Sequence, residues 1–76
     1  MAISETYLDL RGLRCPLPVL RTRKALAGLP KGALLAISCT DPLAALDLAV
    51  LMTETGDLLE SQDEKESYTI FHIRKA

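Results

Sequence analysis

Pro16 and Pro18, one residue apart in the run Cys15-Pro16-Leu17-Pro18, most tightly constrain how this chain can fold. Neither suits a helix interior, because each lacks the N–H that closes a turn. Both suit a first turn, where those N–H groups are unpaired anyway. A helix is therefore predicted to open at this run and continue to Ala27. Val19, Thr22, Leu26 and Leu29 then share one face, with Arg21 and Lys24 opposite. Gly28 and the run Leu29-Pro30-Lys31-Gly32 end it. Thr40-Asp41-Pro42 repeats the device, with Asp41 as N-cap and Pro42 at the first helical position. The second helix is predicted from Pro42 to about Glu54, with Leu43, Leu46, Ala49 and Val50 inward, closing near Gly56.

The remaining segments read as strands. Thr6–Leu10 alternates Leu8 and Leu10 with Asp9, and Ala33–Cys39 is a largely apolar, buried run. A hairpin follows, with strands at Asp57–Asp63 and Tyr68–Arg74 around a polar turn at Glu64–Ser67. In its last strand Thr69, Phe71 and Ile73 share one face, while Tyr68, Ile70 and His72 form a half-apolar outer patch. The order is βαβαββ, and a helical crossover favours parallel first and second strands. The expected fold is an α/β two-layer sandwich, with two helices on one face of a four-stranded mixed sheet. Both helix N-termini, and with them Cys15 and Cys39, then lie at one edge.

At 76 residues the chain is read as a single domain, 1–76. So short a chain buries only about 60% of its unfolded surface, enough for one modest core but not for an enclosed active-site cavity. Its net charge of −1 implies no global attraction to nucleic acid or membrane. The distribution is uneven: six basic residues and no acidic one lie between Leu10 and Thr40, and acids dominate from Asp41 onward. Only Tyr7 among the aromatics lies near the basic stretch, so base stacking and direct nucleic-acid binding are poorly supported. No basic leader precedes an apolar stretch, and no apolar run approaches the ~18 residues that span a bilayer. The expected location is cytoplasmic, where thiols stay reduced. Two cysteines and one histidine are too few for a disulfide framework or a tetrahedral zinc site, so no metal is expected.

The chemistry then centres on Cys15. At the head of a helix, unpaired N–H groups and the dipole favour an anion by about 0.3–1 kcal/mol, up to ~2 in good geometry. A one-unit fall in thiol pKa raises the thiolate fraction at pH 7 from about 3% to roughly a quarter. Arg11 and Arg14, just upstream, are candidates to lower the pKa further or to dock a partner, while Gly12, Pro16 and Pro18 shape the turn. No Cys-x-x-Cys pair supports dithiol exchange, and nothing marks His72 as the base a cysteine hydrolase needs. A lone activated thiol can accept and release a group.

The stretch Leu8-Asp9-Leu10-Arg11-Gly12-Leu13-Arg14-Cys15-Pro16-Leu17-Pro18 resembles the signature of the TusA/SirA-like sulfur carrier proteins, whose hallmark is C-P-x-P. The likeness continues through Asp41-Pro42, Asp47-Leu48, Gly56 and Tyr68…Ile73-Arg74-Lys75, nearly the whole chain in order. The resemblance implies a βαβαββ sandwich. It also implies a sulfurtransferase-type carrier without a cofactor, which does not turn over alone. Cys15 would accept sulfane sulfur as a persulfide from a cysteine desulfurase or rhodanese-like donor and pass it to an acceptor protein. In relatives the destination is tRNA thiolation, molybdenum-cofactor enzymes or sulfur oxidation. Leu17 stands where tRNA-thiolation carriers have Glu, Asp57 where His or Asn is frequent, and Cys39 is not a hallmark, so donor and acceptor stay open.

Two other readings remain at this level. One is a non-catalytic regulatory module, binding protein or RNA through the basic first helix. The other is a thiol redox sensor, in which Cys39 reaches the edge holding Cys15 and attacks its persulfide to form a disulfide. Against this, Cys39 shares strand parity with Leu35 and Ile37, as a small core residue does. Asp41 is read as a helix cap alone.

Overall fold

The computed structural model describes residues 5–76. The first four residues, part of the segment read as leaderless, lie outside that range. The described chain runs β1 (Glu5–Asp9), α1 (Leu17–Ala27), β2 (Leu34–Cys39), α2 (Ala44–Thr55), β3 (Leu58–Glu64) and β4 (Thr69–Arg74). The four strands form one mixed sheet in the order β1-β2-β4-β3. β1 and β2 are parallel, with Leu8 opposite Ile37, while β4 pairs antiparallel with both β2 and β3. The expected α/β two-layer sandwich is the observed one.

The core lies between the sheet and the two helices. Leu35, Ile37 and Cys39 from β2 and Phe71 and Ile73 from β4 meet Leu26 of α1 and Ala44, Leu48, Leu51 and Met52 of α2. The outer face of β2 carries Ala36 and Ser38, both buried without a helix over them. Their small side chains are shielded by larger neighbours: Ala36 lies opposite Tyr7 and His72, and Ser38 opposite Ile70. Ser38 also shares a hydrogen bond with the Tyr7 hydroxyl. Small residues on the central strand thus let one face go uncovered without exposing a large apolar area. β3 is an edge strand with exposed Ser61, Gln62, Asp63 and Glu64 and a register shift between Leu59 and Ser61. Charge and irregularity together discourage further strand pairing there.

The first helix matches its predicted face, with Pro18, Thr22 and Leu26 buried. The buried Thr22 hydroxyl donates to the Pro18 carbonyl at 2.7 Å, which satisfies it locally. The second helix departs from expectation in two ways. It begins at Ala44 rather than Pro42, with Leu43 rather than Asp41 at the N-cap, because Pro42 and Leu43 form the turn that precedes it. It also turns a different face inward. Leu43, Leu46 and Val50 are exposed, Leu46 by 65%, and Ala49 is exposed with them. Ala44, Leu48, Leu51 and Met52 are buried instead. Both sets obey helical spacing, so periodicity alone does not choose between them on a helix apolar on nearly all sides. The helix ends at Gly56, whose φ of 80° is left-handed and whose N–H donates to the Met52 carbonyl at 2.8 Å.

The two faces of α2 are separable by mutation. Leu48→Ala should destabilise the fold by about 2–5 kcal/mol in denaturant melts. Leu46→Ala should stay within about 0.5 kcal/mol of the parent.

Candidate functional site

Because β1 and β2 are parallel, the loops leaving their carboxyl ends lie side by side and are stitched together. The Gly12 N–H donates to Thr40 Oγ1 at 2.9 Å, and the Cys15 N–H donates to Asp41 Oδ2 at 2.5 Å. Asp41 Oδ1 takes the Leu43 N–H at 2.9 Å, so one carboxylate holds both loops. Gly12 adopts a φ of 86°, left-handed backbone that a Cβ would strain, which accounts for glycine at this turn. The resulting open crevice of about 550 Å³ is lined by Gly12, Leu13, Arg14, Cys15, Thr40 and Asp41, with Pro42 and Leu43. Pro16 and Pro18 fall at the N-cap and in the first turn of α1, as expected.

Cys15 is exposed. A second, smaller crevice of about 190 Å³ between α1 and α2 brings it together with Asp47, Pro16, Val19, Arg23 and Glu54. Here the expected activation of the thiol is overturned: its pKa lies above the ordinary thiol value. A hydrogen bond to the Asp47 carboxylate, partial desolvation and the negative charges of Asp47 and Asp41 all favour the protonated form. Of the arginines expected to lower it, Arg11 is engaged elsewhere. Arg11 forks onto Asp9 through two bonds of 2.8 Å and lies 5.2 Å from the Tyr68 ring centre. That pairing holds the Asp9 carboxyl down at about 2, so Arg11 is neutralised at working pH. The helix head is depleted as well. The Leu17 N–H is bonded to the Arg14 carbonyl at 2.8 Å and Pro18 has no N–H, which leaves Val19 as the donor among the first three helical residues. The prolines that fix the turn thus remove the donors an anion would use. Arg14 is exposed and, among the described residues, forms no ion pair.

Cys39 takes the structural role. It is 2% exposed within the core, and burial pushes its thiol up to about 11. A thiol so placed is neither accessible nor ionised, which argues against a disulfide sensor built on Cys15 and Cys39. Asp41 is not the N-cap it was read as, Leu43 holding that position; its carboxylate instead ties the cysteine turn to the turn before α2. Asp47 is the site residue that the sequence reading did not single out for chemistry. A signal existed: it is the acidic residue in the first turn of α2, at the edge where parallel topology places both helix starts. Among the described residues, no group of three or more metal-ligating side chains is present.

Comparison with known proteins matches residues 6–75 to the family described as "Sulfurtransferase TusA". The chain is 40% identical over 77 residues to the "Sulfur carrier protein TusA" of Allochromatium vinosum, covering 100% of both chains. It is 44% identical over 62 residues to a "Putative sulfur carrier protein" of Bacillus subtilis, covering 80% of this chain and 83% of the relative. A crystal structure of a SirA-like protein from Desulfitobacterium hafniense superposes with a TM-score of 0.80 at 24% identity, covering 91% of this chain and 95% of that one. At that identity the likeness concerns the fold.

Two outcomes follow from this geometry. Asp41→Ala, which frees the Cys15 and Leu43 N–H groups, should lower stability by about 1 kcal/mol in denaturant titrations. A thiol reagent should modify a single cysteine per native chain, Cys15, and reach Cys39 only on unfolding; equal labelling of both in the native state contradicts the assigned burial.

Proposed function

The chain belongs to the TusA sulfurtransferase family, and from that premise we propose that it relays sulfane sulfur on Cys15 between proteins. The donor is a cysteine desulfurase or a rhodanese-like protein, and the recipient a downstream acceptor protein in the reducing cytoplasm. The observation that carries this reading is the exposure of Cys15 on an open rim, while the second thiol is sealed in the core. An enclosed site suits a small substrate; an open rim suits a sulfur presented by another protein. Exposed Leu17, Leu43 and Val50 lie beside it and supply apolar contact area. Arg14 is the cation on this rim left for docking a partner.

Loading balances without a cofactor. The Cys15 thiol gives its proton to solvent, and its thiolate attacks the terminal sulfur of a donor persulfide. The donor S–S bond breaks, a new S–S bond forms on Cys15, and the donor leaves as a thiolate. A raised pKa slows this step less than the thiolate fraction suggests. Each unit removes thiolate tenfold but raises its nucleophilicity about threefold, the Brønsted slope being about 0.4–0.5.

Incubation with a cysteine desulfurase and cysteine should add the mass of one sulfur atom to the intact protein. The adduct should disappear on reduction and be absent from Cys15→Ser. Failure of the parent protein to gain that mass while the desulfurase turns over sinks the proposal.

A further inference from the structure

The structure places Asp47 in the same small crevice as the sulfur-bearing residue, in a way that reaches beyond loading. Its carboxylate lines the crevice between α1 and α2 together with Cys15, and it forms no ion pair among the described residues. The charged groups around the thiol are few. Asp41 approaches from the loop before α2, its carboxylate holding the Cys15 N–H. Arg14 belongs to the cysteine's own loop, and Arg11 is neutralised by Asp9 at the end of β1. Arg23 of α1 and Glu54 of α2 line the same crevice but pair with each other at 2.6 Å. Cys15 therefore shares this crevice with an unneutralised carboxylate on α2, while the unpaired Arg14 lines the neighbouring crevice rather than this one.

We propose that Asp47 is a positioning residue that holds sulfur on the carrier, by making Cys15 a poor leaving group until a partner relieves the carboxylate's charge. The inference deepens the sulfur-relay reading and rests on it. When an acceptor attacks the terminal sulfur of Cys15–S–SH, the bond between the two sulfurs breaks and the electron pair returns to Cys15. The rate of that cleavage rises as the leaving thiol becomes more acidic. A carboxylate beside the departing sulfur opposes the charge that cleavage develops, so adventitious small nucleophiles draw sulfur off slowly. The same contact keeps the unloaded thiol protonated and inert toward oxidants, whose attack follows thiolate character. A partner that sets a basic side chain against Asp47 removes both restraints as it docks.

The test compares the parent protein with Asp47→Asn and Asp47→Glu. The first arm is the pH profile of iodoacetamide alkylation at Cys15, which requires no sulfur transfer. Asp47→Asn should titrate at lower pH and alkylate about threefold faster or more at pH 7, since each pKa unit is tenfold in thiolate. Asp47→Glu, which keeps the charge, should stay near the parent. In the second arm, all three proteins are loaded with glutathione persulfide and challenged with cyanide. Cyanide takes the terminal sulfur as thiocyanate and leaves Cys15 as the thiol, its proton coming from the persulfide. Thiocyanate release should be several-fold faster from Asp47→Asn than from the parent or Asp47→Glu. An unchanged or raised alkylation pKa in Asp47→Asn, or release no faster than the parent's, overturns the role of Asp47. Absence of any persulfide on the parent overturns the relay itself and leaves the alkylation result standing. Thermal melts of the three proteins establish that the comparison is made between folded chains.

Discussion

The Asp41 carboxylate is the tie on which the site depends. One oxygen holds the backbone of the cysteine turn, and the other holds the backbone that leads into α2. Neither loop has much structure of its own, and neither helix head closes with a side-chain cap. Parallel pairing of β1 and β2 brings the loops together, and the carboxylate then sets their relative position. Without it, the Gly12 bond to Thr40 still joins the loops, but the cysteine turn itself loses its tie to the backbone that leads into α2.

That register has an electrostatic consequence. Joining the loops brings the thiol within reach of Asp47 as well as Asp41, so the sulfur faces negative rather than positive charge. An enzyme acting on a small substrate needs its nucleophile ionised and ready. A carrier has a different requirement, because its sulfur must survive between encounters. On the proposed role of Asp47, a protonated thiol and a reluctant leaving group would meet that requirement and would leave activation to a docking partner that brings positive charge. The open crevice is consistent with this division, since a protein this small has no volume to build a closed environment of its own.

Much of this was legible in the residues. The prolines at 16, 18 and 42 announced helix starts within about two residues of where they occur, because a missing N–H excludes them from a helix interior. Alternation in β4 predicted the buried pair Phe71 and Ile73, and strand parity placed Cys39 with Leu35 and Ile37 in the core. The inward face of α2 was not legible. Its apolar residues surround the helix, and the choice of Leu48 and Leu51 over Leu46 and Val50 is made by how the helix settles on the sheet. The sign of the shift at Cys15 was also misjudged from sequence. Proximity in the chain suggested Arg11 and Arg14 as neighbours of the sulfur, yet Arg11 turns to Asp9 two residues back.

Sequence alone determined the order of elements, the family motif and which thiol stands at a helix head, since all three follow from short-range sterics and spacing. Only the tertiary structure decided what surrounds that thiol. Asp41 and Asp47 lie 26 and 32 positions away along the chain, and a parallel crossover is what carries them to the sulfur. Electrostatics acts through space, falling with distance and dielectric rather than with separation in sequence, so the charge felt by Cys15 emerges only once the fold is closed.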